Sequence, residues 1–136
     1  MTPHFTLAEL TATSHRQFDN TPNEAETANL QKLAEFLERV KEALDGKPIM
    51  INSAFRSKQV NDSVGSKDTS QHRTGQAADF KVPGMSPDAV VRAIIAAGLP
   101  YDQLIREFDA WTHVSISDKP RKQALIIDKQ GVRPFA

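Results

Sequence analysis

Between residues 24 and 45 the apolar side chains Leu30, Leu33, Leu37, Val40 and Leu44 recur at spacings of three and four. That period places them on one stripe of an α-helix. Asn23 is positioned to cap its start, and Gly46 followed by Pro48 ends it. Smaller helices are expected at 5–10, with Thr6 and Glu9 as a capping box, at 57–64 opened by Ser57, and at 87–97 capped by Ser86. Residues 48–55 (PIMINSAF) and 77–82 (AADFKV) read as strands. Residues 103–108 (QLIREF) and 112–117 (THVSIS) read as a hairpin around the turn Asp109-Ala110-Trp111. One more strand is expected at 123–127, ending near Asp128 and Gly131. Helices first and then a small, mostly antiparallel sheet define an α+β chain.

The 136 residues fit one domain, 1–136, large enough to fold without staples. Seventeen basic residues balance seventeen acidic ones, so the bulk charge gives no footprint for nucleic acid. There is no cysteine, which excludes disulfides, thiolate metal sites and a thiol nucleophile. Any zinc site must then combine His with Asp or Glu, a ligand set typical of catalytic rather than structural zinc. The opening MTPHFTLAEL lacks a basic segment followed by a long apolar core, so no secretory signal and a cytoplasmic site of synthesis are expected. No apolar run approaches the roughly 18 residues that suggest a membrane span.

The densest chemical signal is the polar stretch Ser70-Gln71-His72-Arg73-Thr74-Gly75-Gln76-Ala77-Ala78-Asp79. It sets His72 in a loop seven residues before Asp79, which enters a strand where propensity disfavours an acid. Gly75 allows the tight bend that would fold the loop back. The second signal is Trp111-Thr112-His113-Val114-Ser115-Ile116. If Val114 and Ile116 face the core, His113 points to the other side. Three such ligands and one position left to water make a catalytic zinc arrangement.

These residues resemble the peptidase M15 family, which includes D-alanyl-D-alanine carboxypeptidases and related phage endolysins. The resemblance rests on SQHRTGQAAD (70–79), on WTH (111–113) and on the upstream Ser53-Ala54-Phe55-Arg56-Ser57, in the family's order and spacing. FTLAELTATS at 5–14, DNTP at 19–22 and NLQKL at 29–33 look like its short phage and prophage branch. The resemblance implies a fold of the hedgehog and D-Ala-D-Ala-peptidase kind, with Zn2+ on His72, Asp79 and His113. It implies that Arg56 holds a substrate carboxylate or polarises the carbonyl, a task suited to a guanidinium fork. Ser70 would bond substrate, and Trp111 would either wall the cleft or anchor the hairpin.

The base departs from the family pattern. Many relatives place an acid three residues before the last His, where this chain has Ala110. Glu107 and Asp109 are the nearby acids, and Glu107 is preferred because it shares a strand face with Gln103 and Ile105. The implied activity is hydrolysis of peptide bonds in peptidoglycan stem peptides, by an endopeptidase or D,D-carboxypeptidase. The enzyme would be a monomer acting on the wall after release or within a phage particle. The rival expectation is a peptidoglycan-binding or phage structural module of the same fold without turnover.

Overall fold

A computed structural model describes residues 1–135. The elements run α1 (Leu7–Leu10), α2 (Glu24–Ala43), β1 (Met50–Ser53), α3 (Lys58–Ser63), β2 (Ala77–Lys81), α4 (Pro87–Ala96), β3 (Gln103–Glu107), β4 (Trp111–Ser115), β5 (Gln123–Asp128) and β6 (Gly131–Pro134). The caps follow the sequence. Thr6 with Glu9 and Asn23 with Glu26 form reciprocal capping boxes, while Ser57 and Ser86 accept from the backbone three residues on.

All six strands form one sheet in the order β1-β2-β4-β3-β5-β6. The expectation of a mostly antiparallel sheet needs correcting: the sheet is mixed, because β5 runs parallel to β3. The cause is topological. β4 already lies between β2 and β3, so the chain leaving it must cross the end of β3 to find an open edge. A strand returning that way is antiparallel to β4 and therefore parallel to β3. Buried Asp102 pins the crossing loop. Its carboxylate accepts from Arg121 N at 2.9 Å, Nε at 3.0 Å and Nη2 at 2.7 Å. These bonds, led by the Arg121 side chain, lower the Asp102 carboxyl to about 2.

Two further details differ from the sequence reading. β6 was not foreseen, and it pairs antiparallel with β5 at the sheet edge. The β3–β4 turn is Phe108-Asp109-Ala110, with Trp111 already in β4 opposite Glu107. Phe108 and Asp109 both adopt left-handed backbone conformations, φ 53° and 50°. Asp tolerates that region, whereas a bulky Phe there is strained.

Strand alternation sorts the side chains into two faces. Ala78, Phe80, Leu104 and Val114 are buried in the core. There they join Leu30, Leu33, Leu37 and Val40 of α2 and Val90, Val91 and Ile94 of α4. Full burial of each large apolar side chain stabilises the fold by about 1.5–3 kcal/mol. The alternate positions Asp79, His113, Ile105 and Glu107 therefore share the opposite face. Among the described residues no helix is long and apolar enough to cross a membrane.

Candidate metal centre

β2 and β4 pair so that Asp79 lies directly opposite His113. Opposed residues of an antiparallel pair point the same way with Cβ atoms about 4.5–5.5 Å apart. Here His113 Nδ1 donates to Asp79 Oδ1 at 2.8 Å. His72 reaches the same carboxylate from the loop above, with its Nε2 3.3 Å from Asp79 Oδ2. The two imidazole rings meet edge to face at 5.2 Å. His72 and Asp79 are buried, at 4% and 9% exposure.

The loop carrying His72 is held by specific bonds. The Ala54 carbonyl accepts from His72 Nδ1 at 2.7 Å, and Arg56 N donates to the His72 carbonyl at 2.9 Å. A carbonyl only accepts, so the proton sits on Nδ1 and Nε2 keeps its lone pair toward Asp79. Gly75 closes the loop at φ 80°, packed against α2. A Cβ there would lie 2.9 Å from the Glu26 carbonyl oxygen and 3.1 Å from Leu30 Cγ. Gly75→Ala is therefore expected to destabilise the fold by about 1–3 kcal/mol, through strain and the clash together. A thermal melt of the metal-free protein checks this; an unchanged midpoint would contradict it.

Charge at the site is concentrated on Asp79. Burial pushes its carboxyl up, but the hydrogen bond from His113 and the close approach of the two imidazoles outweigh that and leave it well below the usual carboxylate range. Burial lowers the His72 pKa and favours its neutral form. Arg56 stands 3.6 Å from Asp79 Oδ2 through Nη2, and its Nε donates to Ser53 Oγ at 3.3 Å. Burial pulls the guanidinium below its ordinary value, opposed by Asp79 and Glu107. Glu107 Oε1 is 4.0 Å from His113 Nδ1. Burial raises its carboxyl pKa, and the Asp79 charge raises it further.

The donor set fits a divalent cation. One neutral imidazole nitrogen, one ionised carboxylate and a second imidazole offer ligand atoms that all lie within 4.8 Å of one another. A tetrahedral zinc site, with bonds of about 2.0–2.2 Å, sets its ligand atoms about 3.3–3.6 Å apart. The 3.3 Å between His72 Nε2 and Asp79 Oδ2 already matches that spacing.

From residue 3 to residue 115 the chain matches the Peptidase M15 family. It belongs to that family. M15 proteins are metallopeptidases, and the His72, Asp79 and His113 group of this member can hold a metal. No curated protein sequence matches the chain.

In this M15 member the other expected site residues fall on two sides of the cluster. Ser70, Glu107 and His113 line an open trough of about 360 Å³. Ser70 Oγ also accepts from His72 N at 3.3 Å, so it shapes the ligand loop as well. Arg56 lines a separate recess with Ser53 and His15. Trp111 packs on Phe108 with ring centroids 5.9 Å apart, and its buried Nε1 has no hydrogen-bond partner. Asp109, the alternative base, is 69% exposed in its side chain and pairs with Arg106 Nε at 3.1 Å.

Sequence reading missed two supports of the M15 site. Asn20 donates through Nδ2 to the Thr11 and Phe55 carbonyls and accepts from Ser57 N. It thereby ties the N-terminal segment to the backbone on both sides of Arg56. Gln71 Nε2 donates to Asp102 Oδ2 at 2.9 Å and to the Ile116 carbonyl at 3.2 Å, joining the ligand loop to the β4–β5 crossing. Neither has a local signal, because the partners lie up to 45 residues away.

Proposed function

We propose that this M15 member is a zinc-dependent peptidase that hydrolyses peptide bonds in bacterial peptidoglycan. It would act as an endopeptidase or D,D-carboxypeptidase of phage or prophage origin, on the fold implied by its resemblance to D-Ala-D-Ala peptidases. The observation that carries the reading is the convergence of His72, Asp79 and His113 on one point, with the Glu107 carboxylate beside His113. Zinc suits two imidazoles and a carboxylate in a chain without thiols. When bound, the ion supplies Lewis acidity and acidifies water at its open position.

The chain's own groups would do the rest. Glu107 takes the proton from the attacking water on one carboxylate oxygen and passes it to the departing amine nitrogen. Its burial favours such a role, because a raised pKa brings a carboxyl nearer to neutral pH. Arg56, anchored by Ser53 and Asp79, grips a substrate carboxylate or the oxygen on which charge develops. The open trough lined by Glu107 and His113 would receive the peptide.

The second reading, a wall-binding or phage structural module without turnover, is favoured by one feature: Ala110 stands where many relatives carry an acid. Mass spectrometry of purified peptidoglycan separates the two. New amino groups at one defined bond are expected with zinc, lost with a chelator and regained on readdition of the metal. Release of no amine at any metal loading would leave only the module. Casein, run in parallel, should stay intact.

A further inference from the structure

The trough has a second end that the reading above does not use. Gln103, Ile105 and Glu107 alternate along β3 on the site face, so the floor runs the length of that strand. From Gln103 to Glu107 is four residue steps, or about 13 Å of extended chain. His113 and Glu107 stand at one end. Gln103 and Arg121 stand at the other, and Arg121 is the trough's only formally cationic side chain apart from histidine.

Arg121 is built for holding an anion. Asp102 fixes its guanidinium through Nε and Nη2, and Asp102 is itself fixed by Gln71. The pair is lopsided: the Asp102 side chain is 3% exposed and the Arg121 side chain 56%. A solute in the trough therefore meets the positive end of the pair. Nη1 has no hydrogen-bond partner among the described residues, so donors remain for a second carboxylate. The side chain is already immobilised, which lowers the entropy lost on binding. Arg121 also lies beyond residue 115, where the family match stops.

We propose that Arg121 forms a carboxylate subsite at the far end of the trough. It would select peptides bearing a free carboxylate about three to four extended residues, some 10–13 Å, from the bond beside Glu107. This rests on the trough being the substrate channel of the proposed peptidase, and the test keeps the two apart. Pairs of peptides are made with a terminal carboxylate or carboxamide at that distance, on either side of the scissile amide. Affinities are measured by calorimetry on zinc-loaded Glu107→Gln protein, which needs no turnover. Hydrolysis of the same peptides by the unsubstituted chain is followed separately.

For one of the two directions the carboxylate peptide should bind about tenfold more tightly than its amide, as one charge-assisted contact provides. Arg121→Gln in the same background should bring that ratio to about one. Arg121→Lys keeps a cation beside Asp102 but loses the fork, and should bring it to about threefold. Arg121→Lys serves as the working variant if Arg121→Gln proves unstable. A preference that survives both changes, or equal binding of acid and amide by the parent, overturns the subsite. Hydrolysis without any acid preference removes the subsite and leaves the peptidase. An Arg121-dependent preference without hydrolysis does the reverse.

Discussion

Glu107→Gln should lower hydrolysis of purified peptidoglycan by about 10²–10⁴-fold, the usual loss when a general base is removed. It should do so while the protein still takes up its metal. Glu107 lies on the strand next to the ligands, 4.0 Å from His113 Nδ1, and is not one of the three convergent groups. The amide keeps the side chain's volume and removes only its ability to hold a proton. The measurement is a rate of amine release alongside metal content by plasma mass spectrometry. A rate within a fewfold of the parent's would reject Glu107 and bring Asp109 back, despite its exposure and its Arg106 partner. Loss of metal together with activity would show that Glu107 supports the ligands instead.

Asp79→Ala should do more damage, and of a different kind. Asp79 is the one group that touches His72, His113 and Arg56 together. Removing it should abolish stoichiometric metal binding and leave less activity than the Glu107 variant retains. It also leaves Arg56, 16% exposed in its side chain, without its nearest countercharge. Stranding a largely buried cation in this way costs on the order of a few kcal/mol. The metal-free protein also gives a pH signature. Asp79 has its carboxyl pKa lowered by folding, so its contribution is present above the ordinary value of 3.8 and drains as pH falls below it. Denaturant melts of the metal-free parent should thus show stability falling on acidification in that range. The Asp79→Ala curve should start lower and be flatter there. Parallel curves would mean that the carboxylate contributes nothing to the fold.

The sequence revealed most of what depends on short-range pattern. The stripe of α2, the four N-caps and the alternation that sets His113 and Glu107 on one face all follow from neighbours within a few residues. The convergence of His72 with Asp79 did not follow from their spacing. It depends on Gly75 fitting against α2 and on the Ala54 carbonyl, contacts made across the fold. The parallel β3–β5 pairing was hidden for the same reason. Nothing local in DKPRK at 118–122 singles out Arg121, and only the buried carboxylate of Asp102 reveals that it anchors a crossing. The hairpin turn was misplaced by one residue because a Phe, which avoids left-handed backbone, occupies that conformation at position 108. β6 carries an exposed Val132 and a Pro at its end, so it lacks the apolar alternation of a half-buried strand.

The facing of Asp79 and His113 across β2 and β4 ties cation capture to strand alignment. Sliding either strand by a single position would swing one of the two toward the helices and leave the other alone. An ion that needs both therefore rewards one alignment and no other. Uptake of such an ion would stabilise correctly paired sheet over slipped forms, so that binding the metal and aligning the strands would be thermodynamically linked.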